Sequence, residues 1–511
     1  MKILSIIEKS KQFWFLLVVL FSFFLLRLPS LFEPYWYGDE GIYQVLGMGM
    51  NQGRILYRDI WDNKPPLLYM LYALFSSDQF TLRAVSLVFG LLSIIVFFFL
   101  AKKLFYSQSG GNKIAFFTTS IYSVLFGLPL LEGNIANSEN FMLFPILLSG
   151  FLIVKLYSPR VIPAKAGIQN KNDMDSHFHG NDKKKYLILF LAGLVLSFAF
   201  LFKIVAIFDF AAFILFIFFI EFENIKNLFS SIINVASYIL GFIIAIVLTA
   251  LYFVLNNAFF DFIKAAFMQN VGYVGYGNKF IIPQGLLIAK LFVLSLFILF
   301  IFSKRKILKP STIFVLIWLA FSISNALFSQ RPYTHYLLVL LPSFCLFLGL
   351  LIWDKRMQKI YLFSLFVLIV ILANNFTIYA KTSGYYQNFI SFITGSKNVF
   401  SYQNFFDRNT PNDYELAQFI RTHTSSNDSI FIWGNNAQVY KLANKLPVGR
   451  FTVAYHMSAN ETYLKETLNA INKSNPKYII VTSPKNPIPY SVMNYSRIIN
   501  INNSTIYERA F

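Results

Sequence analysis

The stretch "FWFLLVVLFSFFLLRLPSLFEPYWYGDEGIYQ", Phe13–Gln44, decides how the chain is read. Its first part, Phe13–Phe32, has the length and apolar character of a helix that crosses a bilayer. Similar runs recur as far as Ile378. A chain of 511 residues exceeds one ordinary soluble domain. Charged residues are only 13% of it, about half the usual soluble share, while aromatics reach 19% and mean hydropathy is +0.55. The polar faces that a soluble core would need between the runs are missing. We therefore expect a polytopic α-helical membrane protein. No small-residue cleavage site follows Phe32, so the first run reads as a span and not as a removable signal.

Composition also limits the chemistry. Cys345 is the single cysteine, so no internal disulfide can form. No His/Cys cluster has zinc spacing, and no structural metal is expected. The net charge of +20 raises a nucleic-acid reading. Its placement argues against one, because the charge falls in short loops between apolar runs.

About 11 spans are expected, near 13–32, 83–101, 114–131, 139–157, 186–203, 205–220, 229–254, 284–302, 311–328, 336–353 and 361–379. Alternate loops are basic: Lys2, Lys9 and Lys11; Lys102, Lys103 and Lys113; Arg160, Lys165, Lys171 and Lys183–Lys185; Lys226; Lys304–Lys309; Lys355–Lys359. The excess of Lys and Arg puts these loops and the N-terminus in the cytoplasm. An odd number of spans puts the C-terminus outside. The two runs that nearly touch at Lys203 are decisive, since merging them would turn the later basic loops outward.

Beyond about Lys381 the composition turns polar. "DYELAQFIRTHTS" (Asp413–Ser425) and "ETYLKETLNAINKSN" (Glu461–Asn475) read as helices, and "SIFIWG" (Ser429–Gly434) and "KYIIVTSP" (Lys477–Pro484) as strands. The alternation predicts a small extracytoplasmic α/β domain over 381–511, following a transmembrane domain over 1–380. Residues 160–185 lack any period and read as a flexible cytoplasmic insertion, similar to a translated mobile repeat element; its His177 and His179 receive no role.

The first external loop, 33–82, is the informative one. Gly38 and Gly41 bracket Asp39 and Glu40. "DEGIYQVLGMGMN" reads as a short helix lying along the membrane surface. A polar turn with Arg54, Arg58, Asp59, Asp62 and Lys64 follows. Pro65-Pro66 then opens another helix, "LLYMLYALF", with its tyrosines at headgroup depth.

This loop resembles the first periplasmic loop of the C-type (GT-C) polyprenyl-phosphate-sugar-dependent glycosyltransferases, the family of the protein O-mannosyltransferases and the lipid A aminoarabinose transferase. In that family an Asp-Glu pair follows the first span and a Lys-Pro-Pro-Leu element closes the loop; here these are Asp39-Glu40 and Lys64–Leu67. "FTLRAVSLVFG" (Phe80–Gly90) resembles the family's entry to the second span, "NSENF" (Asn137–Phe141) its acidic second loop, and "RPYTHYLLVLLP" (Arg331–Pro342) its Arg-x-Tyr-x-His-Tyr segment. The resemblance covers about Met1–Asp354. It implies a GT-C fold and transfer of a sugar from a polyprenyl monophosphate to an envelope glycan, lipid A or protein acceptor, by displacement with inversion. It also implies no cofactor and no metal, as in the mannosyltransferase-like branch.

The chemistry needs few parts. A carboxylate must take the acceptor's proton, and cations must stabilise the leaving phosphate. The site belongs at the membrane edge, where a lipid carrier can reach it. Asp39 is the expected base. Lys64, Arg58, Lys203 and Arg331 are the expected phosphate cations, an Arg binding bidentately and a Lys as a point charge. Glu40, Glu139, Tyr333 and His335 complete the substrate-binding set.

Each assignment has a structural rival. Asp39 and Glu40 suit a helix N-terminus. Glu40 and His335 could serve as structural hydrogen-bond partners. Lys64 and Lys203 could snorkel to headgroups. Tyr333 and Tyr336 suit the interfacial belt, and Asp59 and Asp62 suit local ion pairs. Asp39 and Glu40, as neighbours on a helix, cannot both serve one atom. A lipid-linked sugar flippase or transporter is the rival function; against it, no internal repeat is visible and Asp209 is the single acid well inside a span.

Overall fold

The computed structural model describes residues 2–105, 111–157, 174–270, 285–328, 333–376, 381–482, 488–489 and 494–510. Long apolar runs become helices because a backbone in hydrocarbon must satisfy its own hydrogen bonds. Lys2–Arg27 (α1) continues through a 3-10 turn, Leu28–Phe32, that starts around Pro29. Two loop helices follow, Gly38–Asn51 (α2) and Pro66–Leu74 (α3). The bundle continues through Gln79–Phe105 (α4), Gly111–Gly127 (α5), Ser138–Tyr157 (α6), Met174–Phe202 (α7), Ile207–Glu221 (α8) and Leu228–Leu255 (α9). The short Phe259–Ile263 (α10) leads to Gly285–Lys304 (α11), Pro310–Ala326 (α12), Tyr336–Trp353 (α13) and Gln358–Asn375 (α14).

Among the described residues nine helical stretches are long and apolar enough to cross a membrane. α5 and α12, at 17 residues each, are shorter. Both are embedded in the bundle: Tyr122 of α5 stacks on Phe97 at 4.4 Å, and Phe314 of α12 stacks on Phe213 at 5.5 Å. With these two, the path has the expected eleven helices. The chain is a multi-pass membrane protein.

The connections alternate between two ends. At one, Lys102 donates to Gln12, Ser311 to the Leu104 carbonyl, Lys185 pairs with Glu221, and Lys309 lies over the Trp353 ring. At the other, Lys203 meets Glu139, Arg58 donates to the Asn256 carbonyl and Lys290 to that of Leu327. α7 and α8 are separate crossings, broken where Lys203 takes an extended backbone (φ −157°, ψ 129°). Residues 160–173 of the expected insertion lie outside the described residues, and Met174–Lys185 belong to α7.

Glycines bring α7 and α9 together. A Cβ on Gly193 would stand 2.0 Å from the Tyr238 carbonyl oxygen, and one on Gly241 1.9 Å from that of Phe190. Close backbone approach at small residues is how helices associate where lipid removes the hydrophobic drive.

The C-terminal region contains Thr382–Ile393 (α15), Val399–Phe406 (α16), Thr410–His423 (α17), Ile430–Trp433 (β1), Gln438–Leu442 (α18), Ala454–Met457 (α19), Glu461–Ser474 (α20), Tyr478–Val481 (β2), Tyr495–Ile501 (β3) and Ser504–Arg509 (β4). The strand order is β1-β2-β4-β3. β1 and β2 are parallel, joined by a crossover through α20, and β3–β4 is an antiparallel hairpin. α15 and α16 lie beside the end of α1: Tyr386 donates to the Leu26 carbonyl and Tyr385 to Glu33.

This region clamps the α2–α3 loop. The Trp61 amide donates to the Arg450 carbonyl, Trp61 bridges Phe451, and Arg54 donates to the carbonyls of Pro447 and Gly449. A Cβ on Gly41 would stand 2.7 Å from the Gln438 backbone nitrogen. One expectation is corrected here. α2 does not lay its apolar face on lipid: Glu40–Gly49 are all buried in protein, between α3 and α18. Tyr69 and Tyr72 of α3 are fully buried, donating to Asp62 and to the Ala136 carbonyl.

Candidate functional site

Asp39 and Glu40 occupy the first turn of α2, and neither caps it; the N-cap is Tyr37, without a side-chain bond. One helical step separates their directions by about 100°. Glu40 turns into the bundle, where its carboxylate meets Arg83 at 2.5 Å and accepts the Ala136 amide. Arg83 also reaches Glu33 at 2.6 Å and the Ser30 carbonyl. All three charged side chains are sealed, at 0–2% exposure. Glu40, expected among the substrate-binding residues, is therefore placed as a brace that ties α2 to α4 and to the loop after α5.

Asp39 turns the other way and keeps 36% of its side chain open. Lys64 approaches it at 3.2 Å, and Tyr43, one turn along α2, donates to it at 3.0 Å. Tyr43 lies as close to Asn137, at 3.1 Å, so its single proton is shared between two acceptors. Lys64 stands over the Tyr43 ring at 4.7 Å and 4.0 Å from Asp62. Burial pushes the Asp39 carboxyl up. Lys64, His335 and the Tyr43 hydrogen bond outweigh it and hold the group at about 2. Burial likewise disfavours the Lys64 cation, yet Asp39, Asp62 and Glu139 raise it above the ordinary lysine value.

Lys64 owes its position to a strained turn. Tyr57 is fully buried at φ 69°, in the left-handed region, which costs an L-residue about 1–2 kcal/mol. Its hydroxyl donates to the Lys64 carbonyl at 2.6 Å, and the Lys64 amide donates to the Tyr69 hydroxyl.

A second acid–lysine pair adjoins the first. Glu139, in the first turn of α6, meets Lys203 from the α7–α8 break. One Glu139 oxygen, Oε2, is buried without a partner. Lys203 also stands over the Tyr336 ring at 4.7 Å. His335 sits 3.7 Å from Glu139 and 3.0 Å from Glu132, whose other contact is the Tyr37 hydroxyl. Glu132 holds a left-handed backbone, φ 58°.

The structure thus brings Asp39, Lys64, Glu139, Lys203 and His335 into one cluster at the end of the bundle beneath the C-terminal region. It does not bring in Arg58, which is exposed and tied to Asp59 and the Asn256 carbonyl. Tyr333 is 43% exposed and stacks on the His335 ring. Arg331 lies outside the described residues. Sequence reasoning did not single out Tyr43, Asn137, Glu132, Tyr37 or His456. Tyr43 was findable, since i,i+4 spacing puts it on the Asp39 face. Among the described residues no three His, Cys, Asp or Glu side chains are grouped as metal ligands; Asp39 and Glu139 each face a lysine instead.

The fold is similar to that of solved structures. The crystal structure of ArnT from Cupriavidus metallidurans bound to undecaprenyl phosphate superposes with a TM-score of 0.56 at 13% identity, over 98% of both chains. Its apo state gives 0.56 at 14%, again over 98% of both. The apo oligosaccharyltransferase of Archaeoglobus fulgidus aligns with 92% of this chain and 69% of its own, at 0.46 and 14% identity. No family model and no curated protein sequence matches the chain. The likeness to ArnT establishes the fold expected from the resemblance to the C-type glycosyltransferases.

Proposed function

We propose that this protein is a membrane glycosyltransferase. It moves a sugar from a polyprenyl monophosphate to an acceptor on the face that carries the C-terminal region, which the asymmetry of basic loops assigns to the outside of the membrane. One observation carries the reading: a partly open carboxylate, Asp39, ion-paired with Lys64 at the mouth of an apolar helical bundle. Likeness in fold to a protein that binds undecaprenyl phosphate supports the donor class.

The acceptor hydroxyl attacks the anomeric carbon, and its proton passes to Asp39. The bond from that carbon to the phosphate oxygen breaks, and the electron pair leaves with the polyprenyl phosphate. One displacement inverts the anomeric carbon. Lys64 and Lys203 meet the charge that grows on the phosphate. At about 2 the Asp39 carboxyl is ionised but a weak base. The donor phosphate corrects this by drawing Lys64 away: Asp39 loses its main counter-charge and gains basicity when a donor is present. Glu139, itself buried and beside His335, steadies the Lys203 cation. Lipid A, another envelope glycan and a protein hydroxyl all satisfy this chemistry.

The test is transfer of radiolabelled sugar from a polyprenyl-phosphate donor to envelope acceptors by the protein reconstituted in lipid, wild type against Asp39→Asn. Transfer by wild type and its loss in the variant are expected. Equal transfer by both removes Asp39 as base. Movement of the sugar-lipid across the bilayer without transfer replaces the proposal with a flippase.

A further inference from the structure

Besides Asp39, Lys64 faces a second, wholly buried carboxylate. Asp62 is 2% exposed and stands 4.0 Å from the Lys64 ammonium. Its oxygens accept from the Tyr69 hydroxyl at 2.7 Å and the Asn63 amide at 2.8 Å, and His456 Nε2 stands 3.5 Å away. Asn63 belongs to the same loop as Asp62, and Tyr69 to the helix α3 that follows it. His456 comes from α19 of the C-terminal region.

The His456 ring is buried edge-on against Trp61 at 4.8 Å. Burial drives its imidazole down to about 4, against the pull of Asp62, so it is neutral and Nε2 can carry the proton that faces the carboxylate. Its other nitrogen, Nδ1, is buried with no hydrogen-bond partner. A buried, unsatisfied polar atom costs about 1–3 kcal/mol. A phenyl ring would pack in the same slot without that cost. The histidine's contribution there lies in its contact with Asp62.

We infer that His456 and Asp62 are positioning residues that fix Lys64 for the donor phosphate, which makes the C-terminal region a working part of the reaction centre. The inference rests on the glycosyltransferase reading above. Lysine carries its charge on a flexible four-carbon stem. When Lys64 leaves Asp39 for the phosphate, Asp62 remains to hold the ammonium in register. A misplacement near 1 Å can cost about a hundredfold in rate.

The test compares His456→Phe, His456→Gln and Asp62→Asn in the full-length protein in lipid. Two readouts are taken: kcat and KM for a polyprenyl-phosphate sugar, and the rate at which an amine-reactive reagent modifies Lys64 without substrate, followed by peptide mass spectrometry. His456→Phe and Asp62→Asn should lower kcat by about 10- to 100-fold with little change in KM, and should speed Lys64 modification. His456→Gln keeps an N–H donor and should recover most of both. Loss of folded yield alone, with kcat and Lys64 reactivity unchanged in the folded fraction, refutes positioning. If wild type transfers no sugar while Lys64 reactivity still follows the series, the glycosyltransferase reading fails and the positioning pair stands. If Lys64 reactivity is the same in all four proteins, the inference fails whatever the transfer assay gives.

Discussion

Asp39 and Glu40 are neighbours, yet their substitution should have opposite effects. Glu40 is one arm of a sealed Glu33–Arg83–Glu40 triad with contacts of 2.6 and 2.5 Å. Breaking a buried ion pair from one side costs about 3–5 kcal/mol, because the remaining charge stays buried and uncompensated. Arg83→Leu strands two carboxylates and sits at the upper end of that range. Glu40→Gln leaves Arg83 paired with Glu33 and sits at the lower. At about 1.4 kcal/mol per tenfold, the folded-to-unfolded ratio falls by roughly two to three and a half orders of magnitude. Asp39→Asn removes a side chain that is one-third open and keeps its shape. The assay is the temperature of half-inactivation and of aggregation in detergent, beside sugar transfer measured on the folded fraction. Arg83→Leu and Glu40→Gln should lose stability and keep transfer in whatever remains folded; Asp39→Asn should keep stability and lose transfer. A Glu40→Gln protein as stable as wild type but inactive would refute the reasoning and return Glu40 to the chemistry.

Three further outcomes are expected. The Asp39 carboxyl is depressed to about 2, so its ionised form is lost only as pH falls below the ordinary value of 3.8; the acid limb of kcat/KM for wild type should lie below 3.8, and Lys64→Gln, which removes the main depressing charge, should move the limb upward in a pH–rate profile. Gly241→Leu should separate α7 from α9, since a Cβ there already meets the Phe190 carbonyl at 1.9 Å, and should lower the inactivation temperature by several degrees or block insertion. Deleting residues 162–182, a segment with no role in the proposed reaction, should leave transfer by the inserted protein unchanged in the same assay.

Sequence and structure agree where a single local rule decides the outcome. A run such as Phe13–Phe32 has one stable form in hydrocarbon, and the Lys and Arg of alternate loops separate the two ends. Asp39 and Lys64 stood out because they sit in the Asp-Glu and Lys-Pro-Pro-Leu elements that carry the resemblance to the C-type glycosyltransferases. What escaped depends on contacts between distant segments. Glu40 and Arg83 are 43 residues apart, and no periodicity links them. The apolar face of α2 has the same pattern whether lipid or protein covers it. The cover is protein, admitted by Gly41 and Gly47, where a Cβ would come within 2.7 and 2.3 Å of neighbouring atoms. The β3–β4 hairpin had a readable signal in Asn502-Asn503 between alternating runs, and Asn502 takes φ 49°. His456 offered none, because its neighbour Asp62 sits on a loop about three-quarters of the chain earlier.

The clamp of the C-terminal region on the α2–α3 loop sets a schedule for biogenesis. Tyr57 and Arg450, which hydrogen-bond in the finished protein, are 393 residues apart. At about 5–20 residues per second the ribosome needs roughly 20–80 s to make the second after the first. During that interval the loop is in place but its lid is unwritten, with Trp61 and the underside of α2 uncovered. The loop is therefore clamped late, when the last quarter of the chain emerges. A chain stopped before Arg450 would leave that loop unclamped, with Trp61 lacking the backbone hydrogen bond it makes in the finished protein.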